Sequence, residues 1–109
     1  MARLKSVHVV YADWCPHCVP IAVDPVKNKA VQVDIPCILY HVDDSEACKK
    51  ADELVKRYGD WSEDYLIPQI FLEYENSEIR HVFTGYSEDI QLTRIGLDNL
   101  LKSDLFRVN

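Results

Sequence analysis

The chain is predicted to form an α/β domain with the element order β-α-β-α-β-β-α and a mixed four-stranded sheet that has helices on both faces. Two apolar runs with strand-forming residues, Val7 to Tyr11 and Cys37 to Val42, are each followed by a segment whose apolar residues have helical spacing. Two further strand-like runs, Gln69 to Tyr74 and Ile79 to Thr84, flank the turn residues Asn76-Ser77 and precede a last helical pattern. Strands joined through a helix should be parallel, and the hairpin should add an antiparallel edge.

Length and composition indicate one globular domain, residues 1–109. The net charge of −6 leaves no basic surface for phosphates, which argues against a nucleic-acid partner. No apolar run approaches the roughly 20 residues that a membrane helix needs. The N-terminal residues contain no apolar stretch of the secretory type, so either the protein is cytosolic or a signal segment has been removed, and the initiating Met favours the former. We therefore expect a cytoplasmic monomer with no membrane partner.

The first strand is predicted from Ser6 to Tyr11 and the first helix from about Pro16 towards Gln32. Each of Pro20 and Pro25 costs about 3 kcal/mol in a helix interior, so we expect this helix to be bent or divided into two pieces. Its apolar positions with helical spacing are Val19, Ala22, Val23, Val26 and Ala30.

The remaining elements have recognisable boundaries. The strand Cys37 to Val42 is expected to be buried on both faces. The second helix should begin at Asp43 to Glu46, which carry capping chemistry, and end at Gly59 before a loop from Asp60 to Tyr65. Ser87 to Asp89 should open the last helix. The apolar positions are Ala47, Ala51, Leu54, Val55 and Tyr58 in the second helix, and Ile90, Leu92, Ile95, Leu97, Leu100 and Leu101 in the last.

The chemistry-bearing motif is Trp14-Cys15-Pro16-His17-Cys18, between the predicted first strand and first helix. In an intracellular protein, two cysteines at this spacing and position indicate a thiol–disulfide redox motif. A cysteine at a helix N-terminus faces unpaired N–H groups and the positive end of the helix dipole, which lower its pKa. Cys15 is therefore the predicted nucleophile and Cys18 the resolving thiol. Pro16 suits the first helical turn, and His17 adds positive charge beside the thiolate.

Three segments resemble the thioredoxin superfamily. The Trp-Cys-Pro-His-Cys motif resembles the active site of its strongly oxidising, disulfide-forming members. Leu66 to Phe71 resembles the thioredoxin and glutaredoxin segment whose cis-proline faces the cysteines, and Phe83 to Asp89 is similar to the turn before the last helix. In this order they cover the chain from Val7 to about Leu101. The resemblance implies a minimal thioredoxin fold of glutaredoxin-like size.

The resemblance also implies roles for individual residues. Trp14 would shield the cysteines, and Ile67 and Pro68 would form the platform on which a substrate chain docks. By base rate alone only about 5% of X–Pro bonds are cis, and Pro68 could otherwise be an ordinary edge-strand proline. Gly85, Tyr86 and Ser87 would complete the substrate-binding side. Ser87 and the acids after it could hold a glutathione carboxylate through helix N-terminal amides, or could simply cap the helix.

Four positions depart from the family patterns. Thioredoxins carry a buried Asp where this chain has Val9, and a Lys where it has Leu39. Glutaredoxins carry a basic residue at the position of Ala12 and a second Gly at that of Tyr86. The first two departures weaken a role linked to thioredoxin reductase and fit glutaredoxin or oxidase chemistry better.

The predicted function is thiol–disulfide oxidoreductase. The expected partners are disulfide-containing proteins or glutathione, with a thioredoxin-reductase-like protein as an optional electron donor. No metal or other cofactor is required, although glutathione could serve as co-substrate. The resemblance to the oxidising members predicts a depressed Cys15 pKa and a potential less reducing than that of thioredoxin.

The alternative is a redox-sensing or metal-binding module that uses the same cysteine pair. A structural zinc site needs four ligands, and the chain has no second C-x-x-C motif. Cys37 and Cys48 are expected to be buried, small and inert, and could form a second redox pair only with Cα atoms within about 7 Å. The strand histidines are expected to be structural or exposed; they are His8, His41 and His81.

Overall fold

The computed structural model of the chain describes residues 3–12, 23–59, 61–62, 65–85 and 90–102. The elements are β1 (Leu4–Tyr11), α1 (Asp24–Gln32), β2 (Cys37–His41), α2 (Ser45–Tyr58), β3 (Gln69–Tyr74), β4 (Ile79–Thr84) and α3 (Ile90–Lys102). This order confirms the prediction. The bounds of β3 and β4 agree with it residue for residue, whereas β1 begins two residues earlier than predicted.

The four strands form one mixed sheet in the order β2-β1-β3-β4. β1 pairs with β2 in parallel and with β3 antiparallel, and β3 and β4 form the expected antiparallel hairpin. The expectation that strands joined through a helix are parallel is wrong for β2 and β3. β1 lies between these two strands, and the chain leaves β2 and enters β3 at the same end of the sheet. The topology is that of a thioredoxin-like fold.

β1 is the central strand, and its two faces belong to different cores. Val7 and Val9 are fully buried on one face, while Val10 is fully buried on the other. The period-2 alternation of a strand sends successive side chains to opposite faces, so one short run supplies both cores. The first core joins β1 to the buried residues Val26, Ala30, Ile70, Leu72, Leu97 and Leu100, which come from α1, β3 and α3. The second joins it to Ala51, Leu54, Val55 and Phe71, from α2 and β3. The predicted helices on both faces are thereby confirmed.

The expectation that the second strand is buried on both faces is wrong. β2 is an edge strand, and the side chain of Ile38 is 39% exposed. Leu39 packs against the core beside α1 and Tyr40 against the core beside α2, but no residue of this strand is fully buried.

The helix termini follow the predicted local chemistry. The Asp44 side chain accepts the Glu46 N–H at the start of α2, and the Gly59 N–H bonds the Val55 carbonyl at its end. Pro25 lies in the first turn of α1, where its missing N–H has no partner to lose. The predicted start of that helix near Pro16, and any bend at Pro20, fall outside the described residues. In α3, Leu92 and Ile95 are exposed while Thr93, Leu97 and Leu100 are buried.

Candidate functional site

The candidate site lies at one end of the sheet, which we call the site edge. Here β1 and β2 end at the paired residues Tyr11 and His41, and β3 begins at Gln69 opposite Val10. β4 ends at Thr84, which pairs with Gln69. The topology therefore brings together three segments that are distant in sequence: the end of β1, the start of β3 and the end of β4.

Ile67 and Pro68 are at the centre of the site edge. The peptide bond between them is cis, as the resemblance implied. Pro68 is fully buried, and Ile67 packs against Ala12, the fully buried residue that follows β1. Cys15 comes three residues after Ala12, so covalent geometry keeps its Cα within about 11 Å of the Ala12 Cα.

Gly85 closes the site edge from the side of β4. Its N–H donates to the Pro68 carbonyl at 2.9 Å. A Cβ at this position would lie 2.7 Å from Pro68 Cδ and 3.0 Å from the Ile67 carbonyl oxygen. The lack of a side chain is thus what allows the end of β4 to approach the Ile67-Pro68 segment. The next two predicted residues, Tyr86 and Ser87, lie outside the described residues.

The side chain of Gln69 supports the chain that leads into the Ile67-Pro68 segment. The side chain is fully buried, and its Nε2 donates to the Leu66 carbonyl at 2.9 Å. Gly59 packs over it, because a Cβ there would stand 2.6 Å from Gln69 Oε1 and 2.8 Å from Phe71 Cζ. Neither residue was assigned a role in the site from the sequence. One feature of the sequence could have indicated the role of Gln69. A polar amide side chain begins an otherwise apolar strand, and a buried amide needs hydrogen-bond partners.

The motif residues Trp14, Cys15, Pro16, His17 and Cys18 lie outside the described residues. Their predicted roles stay predictions. The described chain on either side ends at Ala12, which contacts Ile67, and resumes at Val23, which is buried in the core shared with α1 and α3.

Two departures from the family pattern face each other directly. Val9 pairs with Leu39 across β1 and β2, in the core beside α1, and Val9 is fully buried. An Asp and a Lys at these positions could exchange protons with a thiol, whereas two aliphatic side chains cannot.

His41 is the titratable side chain of β2 at the site edge. Its ring makes an edge contact with that of Tyr11, with the centroids 5.1 Å apart. The backbone N–H of Asp43 donates to His41 Nδ1 at 3.1 Å. A nitrogen that accepts a hydrogen bond carries no proton, so the neutral ring holds its proton on Nε2.

A buried polar network spans three strands on the face opposite α1. His8 Nε2 lies 2.8 Å from Glu73 Oε1, and His8 Nδ1 lies 2.8 Å from the Tyr40 hydroxyl. Ser6 Oγ donates to the same Glu73 oxygen at 3.2 Å. A carboxylate only accepts, so His8 donates from Nε2 and Tyr40 donates to Nδ1. His8 was expected to be structural or exposed; it is buried and serves a structural role across β2, β1 and β3.

The electrostatics of this network favour an ionised carboxylate. The hydrogen bond from His8 lowers the pKa of Glu73 and outweighs the burial that acts to raise it. Burial, followed by the Glu73 charge, raises the pKa of Tyr40. Ser6 is not a candidate nucleophile. In a catalytic triad the serine and the carboxylate bond different nitrogens of the histidine, whereas here Ser6 donates to the carboxylate itself.

Cys37 and Cys48 are half-buried free thiols rather than fully buried ones. Cys37 packs against the core shared with α1 and α3, whereas Cys48 lies in α2. Burial raises the pKa of both, and the carboxylates of Asp52 and Asp43 add to the effect at Cys48. A raised thiol pKa disfavours the nucleophilic thiolate, in keeping with the expected inertness.

Among the described residues, no group of three or more His, Cys, Asp and Glu side chains is arranged to hold a metal ion. In the same part of the chain, no helix is long and apolar enough to cross a membrane. Comparisons with protein-family models, curated proteins and solved structures find no match to this chain.

Proposed function

We propose that the protein is a thiol–disulfide oxidoreductase that exchanges electrons through Cys15 and Cys18. The observation that supports this most directly is the packing of Ala12 on Ile67 at the site edge. The chain leaves the central strand beside the Ile67-Pro68 segment and reaches the cysteine pair three residues later. The thioredoxin-like topology and the motif sequence both support this proposal.

The reaction is a two-step exchange. The Cys15 thiolate attacks a substrate disulfide, so that a bond forms between Cys15 and one substrate sulfur while the other sulfur leaves as a thiolate. Cys18 then attacks the Cys15 sulfur and releases the second substrate thiolate. The substrate disulfide gains two electrons and two protons, and the pair is oxidised to a disulfide. The reverse sequence oxidises a dithiol substrate.

The Ile67-Pro68 segment supplies the substrate platform in this proposal. Gly85 donates to the Pro68 carbonyl, and the Gln69 side chain donates to the carbonyl of Leu66, the residue before the segment, so the backbone is ordered before a substrate arrives. An ordered platform lowers the entropic cost of docking an extended peptide.

Insulin-disulfide reduction by dithiothreitol tests the proposal. The wild-type protein should accelerate precipitation of the reduced B chain, and Cys15→Ser should not. The matched control is the double variant Cys37→Ser/Cys48→Ser, which removes the other two thiols and should keep the wild-type rate. Equal rates for wild type and Cys15→Ser would contradict the proposal. Titration of the pair in glutathione buffers then measures its potential.

A further inference from the structure

The outer edge of β2 carries backbone groups that point away from the sheet. The Val7 N–H donates to the Pro36 carbonyl at 3.0 Å, so this carbonyl faces β1. The N–H and C=O groups of successive residues in a strand alternate in direction, which turns those of Cys37 and Leu39 away from β1. β2 is the first strand in the sheet order, and no described strand lies on its outer side. These outward groups can therefore bond a further strand.

β2 lacks the features by which proteins protect a sheet edge, whereas β4, at the other edge, has them. The ladder of β4 with β3 is irregular between Ile70 and Phe71, and β4 carries Arg80, whose side chain is 54% exposed. Bulges and charged side chains of this kind prevent pairing with another chain. β2 has no proline, lysine, arginine or acid from Cys37 to His41, and its register with β1 is regular. Ile38 is 39% exposed, so β2 is the edge at which a further strand fits.

Antiparallel pairing of β2 with the β2 of a second copy brings together side chains that suit each other. With Leu39 opposite Leu39 of the second copy, the two residues exchange both of their outward backbone hydrogen bonds. Ile38 then lies opposite Tyr40 of the second copy, and the reverse pair forms as well. Aromatic and β-branched residues stabilise neighbouring strands when they are paired in this way. The Tyr40 ring loses little entropy on pairing, because its hydroxyl already bonds His8 Nδ1 at 2.8 Å.

The charges around β2 favour the antiparallel direction. Asp43 and Asp44 follow the strand at one end, and Asp34 precedes it at the other. Burial raises the pKa of the Cys37 thiol and the charge of Lys27 acts against it, so this lysine lies near the end of β2 that Asp34 precedes. Parallel pairing would set two acidic turns side by side, whereas antiparallel pairing sets each of them beside the end that carries Lys27.

We propose that two copies of the chain associate through antiparallel pairing of β2 about a two-fold axis at Leu39. The pairing joins the two four-stranded sheets into one. Both copies use the same surface, so the contact closes on itself and association stops at the dimer. The two site edges lie at opposite ends of the joined sheet and stay open. The inference is independent of the proposed function. It replaces the monomer expected from the sequence, because composition does not reveal that β2 is an edge.

Sedimentation equilibrium of the reduced protein tests the pairing. An interface of five residues a side is small, so the measurement runs from about 10 µM to 1 mM. The wild-type mass should rise with concentration from 12.6 kDa towards twice that value. Ile38→Lys places a charge on the edge and should raise the dissociation constant at least about tenfold. Ile95→Lys, the matched change at a position in α3 that is 58% exposed, should stay within about twofold of wild type.

Amide hydrogen exchange of the wild-type protein gives a second measurement that needs no variant. The Leu39 N–H should exchange at least about tenfold more slowly in the concentrated sample than in the dilute one. The N–H groups of Ile38 and Tyr40 face β1 and should be protected in both.

Two results overturn the proposal in the wild-type protein. One is a mass of 12.6 kDa at every concentration, and the other is a Leu39 exchange rate that does not change with concentration. Both are expected if the edge pairs only with a strand of a different protein. A dimer of wild-type strength in folded Ile38→Lys, or the loss of the dimer in Ile95→Lys, overturns the proposal as well.

Discussion

Replacement of Glu73 by Gln should destabilise the protein in a pH-dependent way. Glu73 Oε1 accepts hydrogen bonds from His8 Nε2 at 2.8 Å and from Ser6 Oγ at 3.2 Å. Gln has nearly the same shape and keeps one acceptor oxygen, so the change removes the charge and little else. Charge-assisted hydrogen bonds are roughly twice as strong as neutral ones.

The magnitude follows from these contacts. A hydrogen bond to a charged group contributes about 1.5–3 kcal/mol and a neutral one about 0.5–1.5 kcal/mol, so the variant should lose about 1–2 kcal/mol at pH 7. The salt bridge from Lys5 adds little, because the lysine side chain is 60% exposed. For a domain of this size, that loss lowers the melting temperature by about 4–10 °C.

The sign of the pH dependence distinguishes this mechanism from a packing defect. The folded-state pKa of Glu73 lies below its unfolded value, mainly because of the bond from His8. Its contribution is therefore complete above the unfolded pKa and is lost as the pH falls through the folded one. Urea unfolding at pH 7 and near pH 2 should show a large difference between wild type and variant at the first pH and almost none at the second.

Glu78→Gln provides the matched control. Glu78 pairs with Arg80 at 3.7 Å, and both side chains are more than half exposed, so its loss should change stability by less than about 0.5 kcal/mol. A Glu73→Gln variant as stable as wild type at pH 7, or one that is equally destabilised at both pH values, would refute the charge-assisted network.

Three further substitutions test the packing of the site and the network. Gly85→Ala places a methyl group 2.7 Å from Pro68 Cδ and should cost about 1–3 kcal/mol in urea unfolding, whereas Gly96→Ala within α3 should stabilise by about 0.5–1 kcal/mol. Gln69→Leu removes the donor to the Leu66 carbonyl and should cost about 1–3 kcal/mol by the same measurement; a cost below 0.5 kcal/mol would contradict the support assigned to it. Tyr40→Phe removes the hydroxyl that bonds His8 and should lower stability by about 0.5–1.5 kcal/mol, with no change in the rate of insulin reduction.

Local sequence patterns were sufficient to predict the helices and strands, but not which strands are neighbours in the sheet or in which direction they run. The turn at Asn76-Ser77 and the two runs that flank it predicted β3 and β4 residue for residue, because a hairpin is a contact between neighbours in sequence. The partial exposure of β2 was missed, because an apolar run has the same composition whether its faces are fully or partly covered. The direction of β3 relative to β2 was also missed, because it depends on the end of the sheet at which the chain enters β3.

The candidate site shows the same division between features that short segments predict and contacts that depend on the tertiary structure. The motif around Cys15 and the substrate platform at Pro68 were predicted from short segments whose residue types are tied to a chemistry. The supporting contacts of Gln69 with Leu66 and of Gly85 with Pro68 could not be foreseen, because they depend on the distance between chain segments. The network of His8 and Glu73 joins residues 65 positions apart, and no local pattern marks such a pair.

By itself, the sequence determined the order and type of the elements, and it predicted the cysteine pair as the chemical feature of the chain. Only the tertiary structure decided that the end of β1 lies against Ile67, that β2 is an edge, and that His8 is buried beside a carboxylate. Backbone propensity and side-chain periodicity act over a few residues and can be read along the chain. Strand neighbours and hydrogen-bond partners are chosen by the packing of the whole sheet, where contacts between distant segments decide the free energy.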